Sequence, residues 1–152
     1  MMTPAGFRHG EVAGAVAGAL IEHIKPRRLG AVTTAEAGFQ IGHDPDTVRA
    51  PDVAFVRAER LALSRREGFF QGAPDLAVEV LLPGDRASEV LAKVQDWLDA
   101  GSSAVWVVDP KTNTVSVYQS GGEATVLRSG DTLSGAEVIP GLRIEVAELF
   151  AM

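Results

Sequence analysis

The 152-residue sequence contains no cysteine, which excludes disulfide bonds, thiolate metal sites and cysteine nucleophiles together. It has no apolar run approaching the roughly 20 residues of a membrane span, and its N-terminus lacks the basic-then-apolar pattern of a secretory signal. We therefore expect a cytoplasmic protein without a membrane partner. Basic residues are fewer than acidic ones, 14 against 20, and the net charge of −6 argues against a protein that coats DNA through charge alone.

What the sequence does contain is an ordinary globular composition, 46% hydrophobic and 22% charged, which indicates neither disorder nor a fibre. At this length we expect one domain, residues 1–152, large enough to bury a core. Helical and strand patterns succeed each other in the order helix, strands, helix, strands. This order predicts an α/β fold with a central mixed β-sheet flanked by helices, in which residues 75–109 form a strand–helix–strand crossover between parallel strands.

The first helix is predicted over residues 9–25, where apolar side chains recur at helical spacing, and Pro26 is expected to end it. Gly10, Gly14 and Gly18 repeat along one side of this helix. Because each glycine weakens a helix by about 1 kcal/mol, we expect the three to permit close approach of another backbone. That backbone would belong either to the core or to a second copy of the chain.

A glutamate in a core strand is the first candidate functional residue. The stretch "APDLAVEVLLPGD" has the alternation of a buried strand, and Glu79 shares a face of it with Ala77. Burying an unpaired carboxylate costs several kcal/mol or forces it to take up a proton. Glu79 therefore requires an ion-pair partner, hydrogen bonds or a metal ion.

Asp52 is its counterpart in "PDVAFV", on the face of the small residue Ala54. Two carboxylates on neighbouring strands repel each other, and one stays partly protonated unless a divalent cation lies between them. Mg²⁺ takes oxygen pairs of this kind together with waters and substrate phosphate oxygens. The sequence thus predicts a site for Mg²⁺ or Mn²⁺ at Asp52 and Glu79.

Lys93 lies on the helix predicted by "DRASEVLAKVQDWLDAG", about 100° from the centre of its apolar stripe at 100° per residue. A long side chain at this flank can lean back toward the sheet, where it would neutralise a phosphate or stabilise an attacking hydroxide. The alternative is a surface pair with Glu89, four residues earlier. Residues assigned to the apolar stripe are Ala87, Val90, Leu91, Val94, Trp97 and Leu98.

Four segments in this order, "APDVAFV", "GAPDLAVEVLLPGDR", "KVQDWLDAG" and "VWVVDP", resemble the Uma2 family of restriction-endonuclease-like proteins, part of the PD-(D/E)XK nuclease superfamily. The resemblance implies a restriction-endonuclease-like core and a Mg²⁺-dependent site that cleaves phosphodiester bonds. Asp52 matches the aspartate of the PD motif and Glu79 the first acid of the (D/E)XK motif. The motif's lysine position is occupied by Leu81, and Lys93 matches a lysine that this family carries on the following helix.

The resemblance also implies an acid from the first helix that assists metal binding, for which Glu11 and Glu22 stay open as candidates. Glu36, expected inside a strand, is a further candidate. The resemblance implies nucleic acid, DNA in particular, as the substrate, and the glycine stripe together with dimeric relatives favours a homodimer. Two alternatives are kept: a catalytically inactive descendant that serves as a binding or assembly module, and a purely structural ion pair at Glu79.

Two features are kept outside the predicted site. Asp75 also follows a proline, but four strand residues separate it from Glu79, or about 13 Å at ~3.3 Å per residue, so one ion cannot bridge the two. An arginine cluster precedes "EGFFQGAPD" and is read either as a local basic groove or as solvated surface; its members are Arg57, Arg60, Arg65 and Arg66.

Overall fold

The computed structural model describes residues 6–64, 66–122 and 124–151. The helices within these ranges are α1 (Phe7–Arg27), α2 (Ala58–Ala62), α3 (Ala87–Asp99) and α4 (Val146–Phe150). The strands are β1 (Gly30–Thr34), β2 (Phe39–Gly42), β3 (Thr47–Arg49), β4 (Val53–Arg57), β5 (Phe70–Gln71), β6 (Leu76–Val80), β7 (Ala104–Asp109), β8 (Thr114–Gln119), β9 (Thr125–Leu127), β10 (Thr132–Ser134) and β11 (Arg143–Glu145).

Six strands form the central sheet in the order β1-β4-β6-β7-β8-β9. Strands β6 and β7 run parallel because α3 connects them, whereas the other neighbouring pairs are antiparallel. Two smaller sheets have the orders β3-β2-β5 and β10-β11. The predicted mixed sheet flanked by helices is therefore confirmed.

Each face of the central sheet is covered by its own hydrophobic core. On one face, β4 and β6 pack Phe55 and Val78 against α1 residues such as Val16 and Leu20. On the other face, the small residues Ala54 and Ala77 pack against α3 and β2. The alternation predicted for β6 is thus confirmed, and it leaves Glu79 on the face of the sheet that α3 covers.

The first helix differs from its prediction in where it ends and in what surrounds its glycines. Pro26 lies inside the last turn, and the helix ends one residue later, where Arg28 adopts a left-handed conformation. Pro26 removes the helical donor to the Glu22 carbonyl, and this is tolerated because Glu22 is exposed to water. Gly10, Gly14 and Gly18 face solvent, with nothing within 4 Å of an added Cβ among the described residues, so the expected core packing is wrong.

The third helix buries less of its apolar stripe than expected. Val94 and Trp97 are buried, but Leu91 and Ala87, in the first half of α3, are exposed. Phe39 of β2 packs edge-on against Trp97, with ring centroids 6.3 Å apart. The sheet β3-β2-β5 is thereby held over the C-terminal half of α3.

No helix among the described residues is both long and apolar enough to cross a bilayer.

Candidate active site

Asp52 and Glu79 lie opposite each other where two antiparallel strands pair, with Glu79 on β6 and Asp52 immediately before β4. Val53 pairs with Val78 across β4 and β6, and one further step in the same register brings Asp52 opposite Glu79. Directly opposed residues point to the same face of a sheet, with Cβ atoms about 5 Å apart. Their side chains are 21% and 14% exposed, so both carboxylates sit at a partly covered edge of the core.

The Asp52 carboxylate is held by two contacts. Its Oδ2 atom accepts a hydrogen bond from the Val80 backbone N–H at 2.8 Å and lies 3.2 Å from His9 Nε2 on the first turn of α1. In the bond from Val80, the Asp52 carboxylate takes the place of a backbone carbonyl and so extends the hydrogen bonding between β4 and β6 by one step. Asp52 is therefore fixed relative to the residue that follows Glu79.

Burial and, to a smaller extent, the negative charge of Asp52 raise the pKa of Glu79 from 4.5 to about 7. The positive charge of Lys93 opposes this rise, as do the Trp97 indole N–H and, more weakly, Arg49. A carboxyl group with a pKa near neutrality is common where a charge or proton is handled in a reaction. The two acids thus form the electrostatic pair that the sequence predicted.

Lys93 Nζ lies 4.0 Å from Glu79 Oε2, and its side chain is 53% exposed. The flank of α3 therefore directs the lysine toward the sheet, as its angle from the apolar stripe predicted. At this distance the ion pair is loose, and the nearest arginine, Arg49, donates its hydrogen bond to Asp96 instead. Lys93 therefore forms the ion pair with Glu79 that the structural alternative requires, and that alternative stays open.

Arg49 and Trp97 are neighbours of Glu79 that the sequence did not single out. Arg49 ends β3 and donates from a terminal guanidinium nitrogen to Asp96 Oδ2 at 2.6 Å, while its Nε atom is buried without a partner among the described residues. Trp97 Nε1 is likewise buried and has no hydrogen-bond partner there, yet it is close enough to Glu79 to favour the charged form of that carboxylate. Buried N–H donors are nearly always hydrogen-bonded in protein cores, so two without partners beside a carboxylate are unusual.

His9 is the other residue that sequence reasoning missed. A lone histidine on the first turn of a helix has no periodic partner, and only the fold shows that α1 starts beside the end of β6. Its ring is mostly buried, and its Nε2 atom faces Asp52. The signal available in the sequence was weak, because a histidine in this position is commonly a packing residue.

The donor set of this site fits a hard divalent cation. Asp52 and Glu79 supply two carboxylates, and a cation between them would cancel the repulsion that raises the Glu79 pKa. Across residues 6–64, 66–122 and 124–151, no group of three or more His, Cys, Asp or Glu side chains stands close enough to hold a metal ion. Two carboxylates completed by water and phosphate oxygens suit Mg²⁺, whereas a Zn²⁺ site uses three or four protein ligands.

The candidates for a third acid are placed elsewhere. Glu11 pairs with Arg8 at 2.8 Å on the surface of α1, and Glu22 lines a separate cavity with His23. Glu36 lies in the turn between β1 and β2, so its expected position inside a strand is wrong. Nothing in the described contacts joins any of these three acids to Asp52 or Glu79.

Asp75 belongs to the opposite end of β6. It is buried, accepts a hydrogen bond from the Arg57 N–H at 2.8 Å, and forms an ion pair with Arg60 at 3.1 Å. Two arginines of the predicted cluster are therefore committed to a structural carboxylate and do not form a basic groove at Glu79. Arg65, a further member of that cluster, lies outside the described residues.

Comparison with known proteins supplies both a family and a fold. A family model described as "Uma2: Putative restriction endonuclease" matches residues 1–147. A solved structure from Anabaena variabilis, described as "a putative nuclease belonging to DUF820", matches with a TM-score of 0.84 and 22% identity, over 98% of this chain and 83% of that one. At this identity the likeness establishes the fold, and the expected restriction-endonuclease-like core is confirmed. None of the curated proteins matches the chain.

Proposed function

Because the chain belongs to the Uma2 family of restriction-endonuclease-like proteins, we propose that it is a Mg²⁺-dependent nuclease, able to use Mn²⁺, that hydrolyses phosphodiester bonds of DNA. One observation carries the proposal: the carboxylates of Asp52, just before β4, and of Glu79 on β6 oppose each other, and burial together with the Asp52 charge raises the Glu79 pKa to about 7. A cation between two such carboxylates would stabilise their charged forms.

In this proposal Asp52 and Glu79 hold the metal ion. When bound, Mg²⁺ supplies Lewis-acid polarisation of the scissile phosphate and lowers the pKa of an attacking water. The Val80 N–H and His9 hold Asp52 through its Oδ2 atom, so the carboxylate is oriented before a cation binds. Glu79 gives up its proton when the cation arrives, so binding releases a proton at neutral pH and below.

Lys93 supplies positive charge at the phosphate. Its Nζ atom lies 4.0 Å from Glu79, and half of its side chain is exposed, so it can reach a substrate on the open side of the site. Preorganised cations stabilise the additional negative charge that the phosphate gains as the water oxygen bonds to phosphorus and a P–O bond to sugar breaks. Arg49, anchored by Asp96, adds a second positive charge on the same side.

Cleavage of a supercoiled plasmid in Mg²⁺ or Mn²⁺ tests the proposal. Wild-type protein and the Asp75→Asn variant, which alters a carboxylate remote from the site, are expected to convert the plasmid to nicked and linear forms. Asp52→Asn is expected to lose this activity. Equal cleavage by wild type and Asp52→Asn would refute the assignment.

A wild-type protein that binds Mn²⁺ but cuts nothing would instead support the alternative, an inactive family member acting as a binding or assembly module. The net charge of −6 favours this alternative, because charge-driven binding to nucleic acid needs a basic surface. The plasmid assay and a metal titration together separate the two functions.

A further inference from the structure

A groove of about 500 Å³ opens beside the carboxylate pair, between the start of α1 and the loops that follow β6 and β7. Its volume lies within the roughly 300–1,000 Å³ usual for sites that bind small molecules or parts of larger ones. Two of its lining residues connect it to the candidate active site. His9 contacts Asp52, and Leu81 follows Glu79 by two residues and so points to the same face.

The walls of the groove are apolar and unusually exposed. The Phe7 side chain on the first turn of α1 is 88% exposed, and Leu82 across the groove is also exposed. Pro83 and Pro110 complete the apolar lining. Exposed aromatic and aliphatic groups that gather around a concave surface mark binding sites more often than scattered ones do.

The polar groups of the groove are balanced in charge. Lys111 forms no ion pair with any described residue, whereas Arg8 is tied to Glu11 and to the Phe150 carbonyl. Asp85 and Asp109 also line the groove, where each accepts a backbone N–H of its own turn. Two carboxylates make this a poor place for a phosphate, but they are good acceptors for the exocyclic amino groups of a base.

We propose that this groove holds an unpaired nucleobase of the strand whose phosphate lies at Asp52 and Glu79, stacked on Phe7. The inference rests on the nuclease function proposed above and adds a substrate class to it: single-stranded DNA, or a strand with a frayed or displaced end. Base-to-aromatic stacking is tolerant of sequence because every base has a π-face. A base inside an intact duplex is stacked on its neighbours and cannot enter the groove.

Fluorescence of a short DNA strand carrying one 2-aminopurine, alone or annealed to its complement, tests the inference. With Ca²⁺ in place of Mg²⁺, wild-type protein is expected to quench the single strand and to bind it about 10-fold more tightly than the duplex. Phe7→Ala is expected to lose about 10-fold in affinity for the single strand, in line with the loss of one stacked base. Leu63→Ala removes an equally exposed apolar side chain, 90% exposed on another part of the surface, and should bind as wild type does.

Equal affinity for both DNA forms, or wild-type binding by Phe7→Ala, would overturn the groove assignment. Plasmid cleavage that persists in that case would leave the nuclease function standing. Conversely, Phe7-dependent quenching without any cleavage would support the groove and contradict the nuclease function. Sedimentation of wild type and Phe7→Ala distinguishes a nucleobase site from a subunit contact. If Phe7→Ala converts a dimer to a monomer, the groove is a subunit contact and the nucleobase assignment fails.

Discussion

Asp52 Oδ2 accepts a hydrogen bond from the Val80 N–H at 2.8 Å, so a side chain on one strand takes the place of a backbone acceptor for the next. Because Val80 directly follows Glu79, this bond fixes the position of one acid relative to the other. The geometry of the pair is therefore set largely by strand pairing and depends little on flexible side-chain rotamers. Such preorganisation is what a site needs if a metal ion is to be held without rearrangement.

The raised pKa of Glu79 predicts a pH-dependent cost to stability in metal-free protein. A carboxyl whose pKa is higher in the folded than in the unfolded state stabilises the fold below about pH 4.5, and this contribution is lost as pH rises through about 7. A shift of this size corresponds to about 3 kcal/mol at pH 8. Glu79→Gln should therefore be more stable than wild type at pH 8 and nearly equal to it at pH 5.

Urea unfolding in EDTA at the two pH values measures this difference. Adding Mg²⁺ at pH 8 should stabilise the wild type and leave Glu79→Gln unchanged. If the variant and the wild type differ by the same amount at pH 5 and pH 8, Glu79 does not titrate as described.

His9 is predicted to position Asp52 for the metal. His9→Gln removes the imidazole that faces Asp52 Oδ2 and should weaken Mn²⁺ binding about 10-fold, the usual loss for a residue that orients a metal ligand. His23→Gln, on the same helix but bonded to the Pro140 carbonyl, serves as the matched control. Titration calorimetry reports both affinities, and an unchanged affinity in His9→Gln would show that Asp52 is held by Val80 alone.

Lys93 is predicted to act on the phosphate and not on the metal. Lys93→Met should lower the cleavage rate about 100-fold, since removal of one preorganised donor to a developing charge has effects of this order. Its Mn²⁺ affinity should not fall, because the lysine charge opposes a cation at Glu79. Lys25→Met, an exposed lysine of α1, is the control. If Lys93→Met loses Mn²⁺ affinity together with cleavage, Lys93 maintains the structure of the metal site and does not act on the phosphate.

The exposed glycines of α1 permit a test of the homodimer, which stays a prediction. An alanine at Gly14 meets no atom within 4 Å among the described residues and should stabilise the helix by about 0.5–1 kcal/mol. Thermal denaturation of Gly14→Ala should show this gain if the face is free. If the glycine stripe is a dimer seam, sedimentation of Gly14→Ala should instead show weaker association.

Much of the fold could be read from local pattern. Alternation along "LAVEV" and the single helix between two buried strands suffice to predict β6, α3 and β7 and the parallel pairing between β6 and β7. The carboxylate pair could be predicted from the same pattern, since Asp52 and Glu79 are each an acidic residue within an apolar segment. Lys93 followed from its angle on α3 relative to buried Val94 and Trp97.

The remaining site residues depend on contacts between distant parts of the chain. His9 meets Asp52 across 43 residues, and Arg49 reaches Asp96 across 47, so neither leaves a periodic signal. The exposure of Leu91 also escaped prediction. Pattern reports which face is apolar, and only tertiary packing decides how much of that face is covered.

Calorimetric titration of Mn²⁺ into the wild-type protein and its Asp52→Asn, Glu79→Gln and Asp75→Asn variants tests the paired-carboxylate site most directly. We predict one cation bound per chain by the wild type and by Asp75→Asn, with a proton released on binding near pH 7, and no binding by either of the other two variants. Binding that survives unchanged in both Asp52→Asn and Glu79→Gln would contradict a cation shared by these two residues.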